Sequence, residues 1–213
     1  MKKVVLLGAN GHTAREIIRH VLEQDDVELT LFARHAKRLS GFQGKHVHVI
    51  EGDARKFTDL HAAIRGQDVV ISAMGGEDLG DVTEGVVQVM EELGVRRIIA
   101  ISAGGIYDEL PEPFNTWDKE MVGYTRPTNL KTADAIEKPS LDYTLLRPVW
   151  LTNKSTEEVE LTRKGETFKG TETSRASLGR FIAQLVEHPE RHVNDDLGIS
   201  QPDTGGDRPA AYR

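Results

Sequence analysis

The sequence has no cysteine, which removes disulfides and thiolate metal sites and fits a reducing compartment. Long apolar runs are missing too. Near the beginning only Val4 to Leu7 is continuously apolar before Gly8. That is too short for the apolar core of a secretion signal or for a membrane span, so a cytoplasmic location and no membrane partner are expected. Positive charge is outnumbered: 27 Lys and Arg stand against 34 Asp and Glu, a formal charge of -7. This argues against the broad basic face that nucleic acid or an anionic membrane requires, and no nucleic-acid partner is expected. Local clusters of cations therefore stand out. Aromatic residues make up only 6% of the chain, whereas 38% hydrophobic residues suffice for one core of ordinary size.

What is present is an alternating pattern. Lys3 to Leu7 is a short apolar run ending at Gly8, as in a strand buried on both faces of a parallel sheet. Ala14, Ile17, Ile18, Val21 and Leu22 then fall at helical spacing as one apolar stripe. Further strands are expected at Val27–Phe32, His46–Ile50, Asp68–Ala73, Arg97–Ser102 and Tyr143–Leu146, with helices near 57–65, 83–93 and 128–137. Such repetition implies an α/β fold, a parallel sheet with helices on both faces. The later chain breaks the rhythm with a hairpin expected over Glu160–Lys169, turning at Lys164 and Gly165. One more helix carries the stripe Leu178, Phe181, Ile182, Leu185 and Val186, with Ser174 or Ser177 as N-cap and His188-Pro189 as its stop. A last strand is expected within Val193–Ser200. Residues 1–200 are thus expected to form one domain, and the polar, Gly- and Pro-rich residues 201–213 an unstructured, flexible tail.

The junction of the first strand and helix reads GANGHTA, with Gly8, Gly11 and Ala14 in the three small positions. Gly8 permits a tight turn, Gly11 lets the backbone approach a pyrophosphate, and Ala14 lets helix and strand pack closely. The helix N-terminus adds unpaired N–H groups and partial positive charge. Because the motif follows a strand and opens a strongly periodic helix, it reads as a dinucleotide loop.

At the end of the second strand an acid would bond a ribose 2'-hydroxyl, whereas an arginine accommodates a 2'-phosphate. Here the strand runs into LFARHAKR, with no acid and with Arg34, Lys37 and Arg38. Arg34 is the first candidate for a phosphate fork, with Arg38 or Lys37 as outer support. NADP(H) is therefore the expected cofactor. Ligands bind beyond the carboxyl ends of strands in such sheets, which brings in Asp53 and the small residues around Ala73, Met74 and Gly75. Asp53 either accepts from an adenine amino group or caps the helix that follows.

Taken together, GANGHTA at 8–14, FAR at 32–34, EGDARKFTDL at 51–60, ISAMGG at 71–76, ISAGGIYDELP at 101–111 and LDYTLLRPVWLTN at 141–153 resemble one family. It is the atypical short-chain dehydrogenase/reductase group, in the NAD(P)H-binding or NmrA-like class that includes biliverdin and flavin reductases. SRASLGRFIAQLVEHPE at 174–190 resembles the group's penultimate helix. The resemblance implies a Rossmann-type doubly wound parallel sheet with a small C-terminal substrate-side region. It implies that Gly8, Asn10, Gly11, His12 and Thr13 line the phosphates, Arg34 the 2'-phosphate, Asp53 the adenine, and Ala73, Met74 and Gly75 the ribose. Ser102 falls at the position of an active-site serine.

The chain departs from the main short-chain dehydrogenases, which use a Tyr and a Lys four residues apart to pass a proton to substrate. Tyr124 lies seven before Lys131, with Pro127 between them, and Tyr107 is followed four later by Pro111. Ser102 and Tyr107 remain as catalytic candidates. Tyr107, Phe114, Trp117 and Tyr124 lie between Gly104 and Arg126, a long segment expected to be irregular; they stack on a flat acceptor, pack on one another to anchor the loop, or bury in an oligomer interface. His46 and His48 share a strand face but lack a third ligand nearby, and no metal is expected. The expected function is an NADPH-dependent oxidoreductase passing hydride to a small planar acceptor, flavin- or quinone-like. The alternative is a non-catalytic NADP(H)-binding redox sensor of NmrA type that docks a protein partner.

Overall fold

The computed structural model describes residues 1–42 and 44–213. The strands are β1 (Lys2–Leu7), β2 (Val27–Ala33), β3 (Val47–Glu51), β4 (Val69–Ser72), β5 (Arg97–Ile101), β6 (Asp142–Pro148), β7 (Trp150–Thr152), β8 (Glu160–Arg163), β9 (Glu172–Ser174) and β10 (Asp195–Ser200). The helices are α1 (His12–Val21), α2 (Phe57–Ile64), α3 (Leu79–Leu93), α4 (Phe114–Val122), α5 (Arg126–Ile136) and α6 (Arg175–Glu187). Eight strands form one sheet in the order β3-β2-β1-β4-β5-β6-β10-β8, parallel except for β8. This is the doubly wound Rossmann-type sheet.

The apolar runs explain the layering. Successive side chains of a strand point to opposite faces, so Val4 and Leu6 pack with Ile17 and Ile18 of α1 and Leu178 and Ile182 of α6. Val5 and Leu7 pack on the other face with residues of α2, α3 and α5, among them Leu60, Val86, Met90 and Ile136. Both faces are therefore buried, as the continuous runs require. α1 and α6 approach so closely that a Cβ on Gly179 would meet the backbone and Cβ of Glu16 at 2.7 Å. α6 opens where sequence placed its cap, with Ser174 accepting from the Ser177 N–H at 2.8 Å. On edge strand β3, His48 Nε2 lies 3.1 Å from Glu28 Oε1 of β2.

Four expectations are corrected. The hairpin at 160–169 does not form: the turn after Arg163 is present, but β8 pairs antiparallel with β10, and the chain beyond it turns inward. Phe168 is buried and donates its N–H to the Glu109 carbonyl, and β9 joins β7 in a separate two-stranded parallel sheet. The long segment after Gly104 is not irregular throughout, because α4 forms within it. Arg126 holds that helix to α5 by donating to Asp118 (2.8 Å) and Asn115 (3.0 Å). The tail 201–213 is not unstructured: Gln201 donates to the Glu172 carbonyl, Thr171 to that of Thr204, and the ring of Tyr212 enters an aromatic cluster. A helix also starts earlier than its periodicity suggested, α3 beginning at Leu79, whose side chain is buried although it precedes the apolar stripe.

Candidate functional site

The carboxyl ends of β1, β2 and β4 open into one cleft. Gly8 has φ +81°, and a Cβ there would stand 2.9 Å from the Ala73 carbonyl oxygen, so the turn after β1 and the end of β4 touch through backbone alone. Gly8 and Ala9 both donate their N–H groups to the Phe32 carbonyl at 3.1 Å, which fixes the loop to the end of β2. The chain then enters α1 at Gly11 without a side-chain cap and with no acid in the first turn. The first N–H groups of such a helix have no intrahelical acceptor and face outward as an anion site. Asn10 ties the loop to the next segment, donating Nδ2 to the His35 carbonyl at 3.1 Å, while its Oδ1 is buried without a partner.

The cavity over this loop has a volume of about 280 Å³. Of the sequence-nominated residues, Gly8, Asn10, Gly11, Arg34, Arg38, Asp53, Ala73, Met74 and Gly75 all line it. His12 does not; it lines a second cavity of about 280 Å³ with Arg15, Lys154 and Arg175 on the other side of the α1 N-terminus. Thr13 is in the first turn of α1 and lines neither. Arg34 and Arg38 make no side-chain hydrogen bond or ion pair among the described residues. Sequence reasoning missed Phe32, Arg55 and Asp78 in the lining. Arg55 was readable: two residues after Asp53, it can fold back on that carboxylate.

That contact changes the reading of Asp53. Its carboxylate is gripped by the Arg55 guanidinium, at 3.0 Å from Nε and 2.5 Å from Nη2, and accepts the Arg55 N–H at 3.0 Å. The Arg55 contacts hold the Asp53 pKa well below the usual carboxylate range. It does not cap α2, whose N-cap position is held by Lys56 and which has no side-chain cap.

The catalytic candidates lie farther along the same sheet edge and are engaged. Ser102 is buried and donates its hydroxyl to the Asn129 carbonyl of α5 at 3.0 Å. Tyr107 donates to Asp196 Oδ2 at 2.9 Å. Burial and the neighbouring Asp196 charge push its pKa well above the ordinary tyrosine range. Behind it, fully buried Arg147 pairs with both Glu109 and Asp196, while Glu109 accepts from the Gly105 and Tyr107 N–H groups at 3.1 and 2.9 Å. The Tyr107 hydroxyl thus belongs to a buried ionic network that pins the loop after β5 onto β6 and β10. Lys131 is occupied by Asp81 (2.5 Å) and Glu84 (3.0 Å), and Tyr124 is 71% exposed. Among the described residues no three His, Cys, Asp or Glu converge as metal ligands, and no described helix is long and apolar enough to cross a membrane.

The first cleft fits a dinucleotide. The open α1 N-terminus and the glycine backbone suit a diphosphate, the orphaned Asn10 Oδ1 suits a donor from a ligand, and the open cations suit a further anion. Comparison with known proteins agrees. The chain matches the NAD(P)H-binding family over residues 8–189. It is similar to a Rossmann-fold NAD(P)-binding family protein from Shigella flexneri at 34% identity, covering 98% of each chain with a TM-score of 0.85. A short-chain dehydrogenase/reductase from Veillonella parvula, solved in complex with NADP, has a TM-score of 0.91 at 24% identity, covering 98% of this chain and 99% of its own. The anaerobillin reductase ChuY from Escherichia coli has a TM-score of 0.82 at 22% identity, covering 96% of this chain and 100% of its own, and like the Veillonella protein it shares the fold. With a glycine loop, an open helix N-terminus and a family match over most of its length, the chain belongs to the NAD(P)H-binding family.

Proposed function

We propose that this protein is an NADPH-dependent reductase that passes hydride to a small planar acceptor, such as a flavin or a quinone. The observation that carries the cofactor preference is the end of β2. Arg34 and Arg38 are exposed in the cleft without ion-pair partners among the described residues, and no carboxylate ends that strand. A 2'-phosphate gives such cations a charge-assisted partner, whereas a bare ribose hydroxyl gives them none. The NADP bound by the Veillonella relative supports the same reading. When bound, the nicotinamide supplies the hydride. The protein's part is to fix the diphosphate at Gly11 and the α1 N-terminus and to hold the 2'-phosphate at Arg34. Asp53, clamped by Arg55, offers a carboxylate at the adenine side.

Removing a charge-assisted contact of this kind costs roughly 10- to 100-fold in affinity. Arg34→Ala is therefore expected to weaken NADPH binding by that factor and NADH binding by less than about twofold. An unchanged NADPH-to-NADH ratio in a fluorescence titration overturns the assignment.

One observation favours the rival reading, a non-turning NADP(H) sensor that docks a protein partner. The hydroxyls of Ser102 and Tyr107 and the ammonium of Lys131 are all engaged with protein groups, so no side chain named from sequence stands ready to donate a proton. A reductase built this way draws its proton from solvent, which suits flavins and quinones and disfavours simple aldehydes. NADPH oxidation across flavins, quinones and aldehydes separates the two readings. Binding without oxidation of any of them overturns the reductase reading.

A further inference from the structure

The chain contains two tryptophans, and the fold brings both to one place. Trp117 of α4 and Trp150 of β7 meet with ring centroids 5.1 Å apart at 64°. Tyr212 completes a triangle with them, 5.2 Å from Trp117 and 5.1 Å from Trp150, nearly perpendicular to the latter at 83°. These are the separations at which aromatic rings attract. The floor of the cluster is apolar: Phe114, Val149 and Phe168 are buried beneath Trp117.

The position matters as much as the rings. Val149 and Trp150 follow directly on β6, and Gly104, just past β5, donates its N–H to the Pro148 carbonyl at 2.8 Å. The cluster is therefore on the ligand-bearing edge of the sheet, beyond β5 and β6. From Trp150, β7 runs toward Asn153 and Lys154, which share the second cavity with His12 at the start of α1. At 3.3 Å per residue, those three residues span about 10 Å from the rings to the glycine-loop side.

Tyr212 is held far less firmly than the tryptophans. Residues 210–213 are all exposed, and Tyr212 itself is 43% exposed. Among the described residues, the polar tie from this stretch to the body is the Ala210 N–H to Glu172 Oε1 at 2.6 Å, while Arg213 bonds within the tail, to the carbonyls of Thr204, Gly205 and Arg208. By contrast, residues 201–204 are fixed through Glu172 and Thr171.

We propose that Trp117 and Trp150 form an aromatic subsite that holds a planar aromatic acceptor by edge and tilted ring contacts, and that Tyr212 is a displaceable plug in it. The proposal rests on the reductase reading for the ligand's role, but the subsite itself is defined by the rings. The phenol seated there is a flat aromatic ring in contact with two indoles, the kind of surface a planar acceptor would also present. An incoming acceptor competes with the protein's own side chain, so the plug reduces apparent affinity by the fraction of time it is seated.

The test uses FMN as probe on the full chain, read by FMN anisotropy and by quenching of tryptophan emission, which here reports on this cluster alone. Tyr212→Ala is expected to bind FMN at least about fivefold more tightly than the parent, with Tyr212→Phe binding like the parent. Trp117→Ala is expected to lose at least about fivefold, with Trp150 remaining as the emitter. NADPH affinity, unchanged in all three, separates these effects from damage to the fold. Equal FMN affinity in Tyr212→Ala and the parent, or in Trp117→Ala and the parent, overturns the proposal. FMN binding that follows these expectations while NADPH oxidation fails removes the reductase reading and leaves the subsite standing.

Discussion

At the carboxyl ends of β1 and β2 polar groups lack protein partners among the described residues: the first N–H groups of α1, the buried Asn10 Oδ1, and the exposed guanidiniums of Arg34 and Arg38. At the ends of β5 and β6 the polar groups are taken up by the protein itself. Ser102 is bonded to α5, half-buried Tyr107 to Asp196, and Arg147 to two buried carboxylates. The first region is built to receive charge and the second to hold a loop still. Substitutions in the second should therefore register as stability, and those in the first as cofactor affinity.

The largest effect is expected at Arg147. Replacing it with Met leaves the buried carboxylates of Glu109 and Asp196 without their arginine, Asp196 keeping only the more distant Lys164, and breaking a buried pair in this way costs about 3–5 kcal/mol. Urea unfolding gives the number, and NADPH affinity of the protein that still folds should stay within about twofold of the parent. A stability loss below about 1 kcal/mol would mean that the network is solvated and the contrast between the regions false. Gly8→Ala is the counterpart in the open region. The added Cβ meets the Ala73 carbonyl at 2.9 Å in a backbone conformation with positive φ, a strain of about 1–3 kcal/mol. Its main reading is in NADPH titration, where a loss beyond about tenfold is expected because the shifted loop misplaces the α1 N-terminus.

The two regions also differed in how far they could be read from sequence. β1, β2, β4, α1 and the glycine loop are local in cause: apolar runs, one stripe and small residues at fixed spacing, so their places and most of the cleft lining follow from the letters. The region after Ser102 is decided by distant partners. Phe114 and Trp117 are spaced as on a helix, but Pro111 and Pro113 mask the signal, and α4 is secured by Arg126 farther along the chain. The turn after Arg163 is a true turn whose strand chose β10 over its sequence neighbour. The tail carries a single ring that finds two tryptophans far away in sequence. Asp53 was visible as a lining residue, but its clamp by Arg55 required the fold of the loop.

Tyr107→Phe tests the closed region more finely. Loss of the hydrogen bond to Asp196 is expected to cost about 1 kcal/mol at neutral pH. The pH dependence has a definite sign. The folded protein holds the phenol proton to higher pH than the unfolded chain, so this contribution is present below about pH 10 and declines as pH rises above it. The stability difference between parent and Tyr107→Phe should therefore narrow from pH 9 toward pH 11 in paired urea titrations. A difference that widens there would place the ionised form in the fold and reopen a proton-transfer role for Tyr107.

Lys131→Met should do the least, and for that reason it discriminates well. In the short-chain dehydrogenases that use a Tyr/Lys pair, the lysine is essential to the proton step. Here Nζ is spent on Asp81 and Glu84 at an exposed surface, and the aliphatic stem packs against Gly80 in the contact between α3 and α5. Methionine keeps the stem and removes the charge. Exposed pairs contribute little, so stability should move by no more than about 0.5 kcal/mol, with NADPH affinity unchanged and any acceptor turnover preserved. A drop in kcat beyond about tenfold at unchanged KM would show that Lys131 leaves its surface carboxylates during turnover and reaches the reacting atoms. The closed region would then contain a mobile catalytic group, which the ion pairs at α3 argue against.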